Sequence, residues 1–209
     1  MKMNMNIENF TSKWLVLILL SFALMLSSCG PKAFTKGDYD ANVEEDNLLD
    51  DNWSESDMQK VAHELVASLT KHRAIAHAKR PPVIMVTKLQ NKTSEHIDTQ
   101  SVMDMVRVEL TNSGSVAFVD KAARSDVAEE YEYQKSGMVA ETSKKGPGGQ
   151  VGADYILNGR LDSIVKEVGK RKTVYYKVTL NLTNLKSNLI VWTNQKELRK
   201  KFKKRRVGL

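Results

Sequence analysis

The chain has 209 residues, 41% hydrophobic and 27% charged, a globular composition with room for one ordinary packed domain plus extensions. Its single cysteine excludes an internal disulfide framework and a thiolate metal cluster. The formal charge of +7 would suit nucleic acid in a cytosolic protein, and suits anionic lipid, wall polymer or an acidic protein surface equally well outside it.

The first element is apolar. Trp14 to Leu26 is broken only by Ser21, with Lys2, Lys13 and Glu8 ahead of it. A basic start, a short greasy segment and small residues at its end make an export signal, shorter than the roughly 20 residues of a membrane span. The signal closes on Leu26-Ser27-Ser28-Cys29, which resembles the lipobox of bacterial lipoproteins. That resemblance implies a diacylglycerol on the Cys29 thiol, cleavage before it and acylation of the new amino group. Residues 1–28 are then a signal peptide, and their loss leaves a net charge of +6. The alternative is an uncleaved helical anchor with a bystander thiol. Each buried methylene adds about 0.8 kcal/mol of membrane affinity, so several acyl chains hold firmly. Export argues against a nucleic-acid partner.

Residues 29–53 carry Asp38, Asp40, Glu44, Glu45, Asp46, Asp50 and Asp51 without helix or strand period, which predicts a disordered acidic linker. It would reach about 80 Å stretched and about 27 Å relaxed. A globular domain is expected over residues 54–198. Ser54-Glu55-Ser56-Asp57 reads as a helix start, and Met58, Val61, Ala62, Leu65, Val66 and Leu69 follow at helical spacing. Pro81-Pro82 stops any helix, and Val83 to Val86 reads as a buried strand before a turn at Asn91 to Ser94. A second helix is expected from Thr99 to Thr111, with Val102, Met105, Val106 and Leu110 on one face and Gly114 ending it.

Val116 to Val119 reads as a short strand and Asp120 to Gln134 as a more polar helix. The pattern then fails from Ser136 to Gly152, where Lys144 to Gly149 is a basic, glycine-rich loop lacking the spacing of a phosphate cradle. Ala153 to Ile164 is a strand. Val174, Tyr176, Val178, Leu180 and Leu182 alternate with Thr173, Tyr175, Lys177, Thr179, Asn181 and Thr183, the period of a half-buried antiparallel strand. Leu185 to Asn188 turns the chain and Leu189 to Trp192 returns as its partner. The fold class is therefore α/β, in the α+β sense: a mixed sheet with helices packed on one face and a C-terminal antiparallel hairpin. Residues 199–209 read as a basic tail, either solvated or drawn to acidic lipid or wall polymer.

No motif announces catalysis. His63-Glu64-Leu65-Val66-Ala67 begins like a zinc-protease helix but has Ala67 where the second ligand must stand. His72, His77 and His96 form no ligand spacing, and no nucleophile elbow or Ser-x-x-Lys pattern with its companion motifs is present. This predicts a binding module with no catalytic residue, metal, cofactor or small-molecule substrate.

Val151-Gly152-Ala153-Asp154-Tyr155-Ile156-Leu157-Asn158-Gly159-Arg160-Leu161, the hairpin Tyr176 to Leu182 with Leu189-Ile190-Val191-Trp192, and Val106 to Val119 together resemble the penicillin-binding protein activator LpoB family over about residues 80–198. Related segments occur in curli secretion components and the N-terminal part of TolB, so the fold implied is TolB N-terminal-like. The resemblance implies a lipoprotein on the periplasmic face of the outer membrane that docks on a class A penicillin-binding protein and stimulates peptidoglycan synthesis. The polar sheet face, with Arg160, Tyr175, Lys177 and Thr179, is the expected docking surface. The linker departs from the family pattern in being short, acidic and nearly proline-free, which leaves the inner membrane as a second location. An envelope assembly lipoprotein of the curli-component type is the alternative function.

Overall fold

The computed structural model describes residues 50–204; the signal peptide, the lipobox with Cys29, most of the acidic run and residues 205–209 lie outside the described residues. The first helix, α1 (Glu55–Lys71), starts where Asp57 accepts a hydrogen bond from the Ser54 amide at 2.9 Å, so an N-terminal carboxylate meets an otherwise orphaned donor. Val61, Ala62, Leu65, Val66 and Leu69 form its buried stripe. A second short helix, α2 (Arg73–Ala76), is capped by His72, whose Nδ1 accepts from the Ala74 amide at 3.3 Å. Pro81 and Pro82 then release the chain into β1 (Val83–Lys92).

That strand is longer than the expected Val83 to Val86, because a bulge between Val86 and Leu89 restores the pairing and carries it to Lys92, with Thr93 and Ser94 left in the expected loop. Helix α3 (Thr99–Asn112) is capped by Asp98, which accepts from the amides of Gln100 at 3.0 Å and Ser101 at 3.4 Å. It buries Val102, Met103, Val106 and Leu110. Met103 takes the fully buried place, with Met105 only packed against the core. Gly114 follows at φ 65°, the left-handed turn expected of it. Strand β2 is just Ala117–Phe118, and α4 (Arg124–Lys135) buries no residue. Three long strands complete the chain: β3 (Tyr155–Val168), β4 (Arg171–Asn184) and β5 (Ile190–Lys203).

The strand order is β2-β1-β3-β4-β5. The β1 pairings are parallel and the β3–β4 and β4–β5 pairings antiparallel. The sheet is thus mixed, with α1 and α3 laid on one face and the core between them, from Leu65 and Val106 to Leu157, Leu161, Val178 and Leu182. Asp154, from the glycine-rich approach to β3, locks the start of the parallel pair: its carboxylate accepts from the Val83 amide at 2.9 Å and its amide donates to the Val83 carbonyl at 2.7 Å.

One sequence expectation needs correcting. The domain does not stop at Leu198 with a tail after it, because β5 continues to Lys203 and pairs with β4 as far as Arg171. Its helix-facing side alternates core residues, Trp192 and Leu198, with polar ones that α1 satisfies. Asn194 Nδ2 donates to Ser68 Oγ at 2.6 Å, Lys196 pairs with Glu64, and Lys200 pairs with Asp57 at 2.5 Å. Lys200 and Asp57 are each only 5% exposed.

Candidate functional site

Alternation along a strand sends successive side chains to opposite faces, and in β4 it separates two environments. Val174, Tyr176, Val178, Leu180 and Leu182 are buried under the helices. The other face carries three cross-strand rows, read from β3 through β4 to β5. Arg160 stands opposite Thr179 and Gln195, Asp162 opposite Lys177 and Glu197, and Ile164 opposite Tyr175 and Arg199. All four residues expected at a docking surface, Arg160, Tyr175, Lys177 and Thr179, therefore share one face.

The rows differ in character. In the middle row Lys177 lies between two carboxylates, 4.0 Å from Asp162, and the Arg160 Nε also donates to Asp162 at 3.0 Å. These charges largely answer one another and act as a rigid polar centre. In the third row Arg199 stands over the Tyr175 ring, 6.0 Å from its centroid, beside Ile164 with 54% of its surface exposed. Desolvation, and then the Glu197 carboxylate, push the Tyr175 phenol above its ordinary range. Tyrosine and arginine against an apolar neighbour are the residue types that anchor interfaces.

Two grooves flank the central row. One, of about 690 Å³, runs from Tyr175 and Ile164 to Lys166, Arg171 and Lys201. The other, of about 630 Å³, is lined by Arg160 and Thr179 with Lys88, Lys121, Asn158 and Asn181. Arg199 and Lys201 were expected in a basic tail and Ile164 only as the end of a strand; their place on this face depends on strand pairing that continues past the segments with clear alternation.

A separate cluster sits under the helix face. The residues just before α1, assigned to the linker by their sequence, are held on the domain. Asp51 pairs with Lys172, Lys200 donates to the Asn52 carbonyl, and the Trp53 amide donates to Glu95 Oε2 at 2.9 Å. Trp53 meets Tyr176 edge-on, with centroids 5.3 Å apart. The Tyr176 hydroxyl donates to Glu95, with the Asp51 carbonyl oxygen 3.2 Å away as a second acceptor sharing the same proton. Lys172 holds the Asp51 carboxyl below its usual range.

His63, His77 and His96 are exposed, and His72 serves as the α2 cap. No group of three or more metal-ligating side chains is found among the described residues. The lipobox residues Leu26, Ser27, Ser28 and Cys29 lie outside the described residues.

A family model described as the peptidoglycan-synthase activator LpoB matches residues 57–198. Among solved structures, the LpoB C-terminal domain from Salmonella enterica aligns at 15% identity and a TM-score of 0.44, over 68% of this chain and 98% of that one. The NMR structure of Escherichia coli LpoB aligns at 14% identity and a TM-score of 0.43, over 83% of this chain and 85% of that one. The PelC dodecamer from Paraburkholderia phytofirmans aligns at 16% identity and a TM-score of 0.34, over 59% and 74%. No curated protein sequence matches the chain significantly.

Proposed function

The chain belongs to the peptidoglycan-synthase activator LpoB family, and we propose that it is a lipid-anchored envelope protein that docks on a class A penicillin-binding protein and raises its synthetic rate. The reading is supported chiefly by one observation: Arg160, Tyr175, Lys177 and Thr179 converge on the sheet face that the helices leave uncovered. A surface that binds the active conformation of a synthase better than the inactive one shifts the population toward activity. Catalysis then belongs to the partner, and this chain needs no cofactor or substrate pocket of its own.

Acylation of Cys29 would moor the protein, with Gly30 rather than Asp after it favouring the periplasmic face of the outer membrane. Because Asp51 is held on the domain, 21 residues, 30–50, separate it from Cys29. They span about 70 Å at most and about 25 Å as a relaxed coil, so the synthase must present its docking site close to the anchoring membrane.

The test is recovery of a synthase by the chain from Gly30 onward, followed by a glycan-polymerisation assay on the recovered enzyme. Stimulation is expected. Tyr175→Ala with Lys177→Ala should weaken binding about tenfold or more with the thermal midpoint nearly unchanged, since neither side chain is in the core. Unaltered affinity would remove both residues from the site, and a recovered synthase without stimulation would refute the activator reading.

A further inference from the structure

The turn between β3 and β4 and the last residues of β5 gather cations. Lys166, Lys170, Arg171, Lys201, Lys203 and Lys204 are all exposed. Pairing brings them to one end of the sheet: Lys166 lies opposite Thr173, which faces Lys201, while Arg171 faces Lys203 and the Lys204 amide donates to the Lys170 carbonyl at 2.8 Å. Within residues 166–172 and 201–204 the one carboxylate is Glu167, 3.4 Å from Lys204 and 3.8 Å from Lys172. Val168 projects at the tip with 78% of its surface exposed.

The distribution of charge identifies what it fits. Arg171, Lys201 and Lys203 share the strand parity of Tyr175 and belong to the open face, whereas Lys204 reaches Glu167 on the helix-bearing side. Most of the unanswered cations therefore lie on the open face and at the turn, while Lys204 on the helix-bearing side is answered by Glu167. The exposed apolar Val168 standing among them at the tip fits an anionic layer with an apolar interior better than the acidic face of a protein. The Asp51–Lys172 pair also brings the N-terminal approach of the chain to this same end.

We propose that this end of the sheet seats on a bilayer surface containing anionic lipid, with Val168 entering the headgroup layer and the surrounding lysines and arginines meeting the phosphates. The proposal rests on the Cys29 mooring only for placing a bilayer within reach, and on nothing in the synthase reading. Such attraction decays within a Debye length and is weakened by salt.

The chain from Gly30 onward, which lacks the lipid but holds the whole packed core, is sedimented with phosphatidylcholine vesicles, with and without phosphatidylglycerol. Binding is expected only to the anionic vesicles, and should be lost at high salt. Lys170→Glu with Lys203→Glu should weaken it about tenfold or more, whereas Lys79→Glu with Lys186→Glu, the same charge change at the opposite end of the sheet, should leave it intact. Val168→Trp gives an independent readout, a blue shift of its emission on anionic vesicles. Absence of binding, equal loss from both charge-reversed pairs, binding with no spectral shift, or preference for soluble polyglutamate over vesicles would each overturn the proposal. Failure of the synthase recovery experiment would leave it standing.

Discussion

Gly159 shows how tightly β3 lies against its neighbours. A Cβ placed there would stand 2.2 Å from the Thr179 carbonyl oxygen, 2.6 Å from Leu180 Cδ2 and 3.0 Å from Leu89 Cδ1. A backbone oxygen cannot swing aside as a side chain can, so the strand must move. Gly159→Ala should cost about 3 kcal/mol, at the upper end of ordinary overpacking, measurable as a lowered urea midpoint. Its neighbour Arg160 and facing Thr179 would shift with it, and docking should weaken in the same variant. Tyr176 supplies a second residue-scale test. Burial, and then the Glu95 carboxylate, push its phenol far above the ordinary value of about 10. The folded state therefore binds this proton more tightly than the unfolded chain. Its contribution is complete below about pH 10 and declines as pH rises beyond that. Tyr176→Phe should be less stable than the parent at neutral pH by about 1–3 kcal/mol, since Glu95 loses a buried donor. The gap should narrow in urea titrations taken through pH 11, as the unfolded chain's phenol ionises and the folded one does not, and a gap that stays constant would show that folding does not raise this pKa.

Among the elements, β5 separates what hydropathy reveals from what it conceals. Strand β4 was legible because every second residue is apolar and the helices cover that face. Beyond Trp192, β5 places Asn194, Lys196 and Lys200 toward the helices, with Leu198 and Phe202 as the only apolar residues, so its pattern reads as mostly polar. The missing information lies 126 to 143 residues earlier, in Ser68, Glu64 and Asp57 of α1, which satisfy those groups. No local window holds both partners. For the same reason Arg160, Tyr175, Lys177 and Thr179 could be placed on one face by counting along β3 and β4, whereas Glu197 and Arg199 could not. Truncation after Leu198 is thus a structural change and no simple loss of a tail. It removes Lys200 and leaves Asp57 buried without its counter-ion, a penalty of about 3–5 kcal/mol before the lost strand pairing is counted. Thermal melting of the truncated chain should show a large drop. A midpoint equal to that of the parent would contradict the ion pair.

At the scale of the whole molecule, the element order and the mixed sheet followed from periodicity and from where Pro81, Pro82 and Gly114 interrupt it. The limits of the domain did not. Both of its ends carry charged residues that composition assigns to solvent, and both are captured by tertiary contacts: Asp51 by Lys172 at the front, Lys200 by Asp57 at the back. Those two captures meet, since Lys200 also donates to the Asn52 carbonyl and lies 5.9 Å from the centre of the Tyr176 ring against which Trp53 packs. The opening and closing segments are consequently fastened to each other. Neither can peel away alone as chain termini commonly do, and loosening of one releases the other. Amide exchange at Trp53 and at Lys200 should accordingly slow to the same opening rate, the two extremities behaving as one cooperative unit.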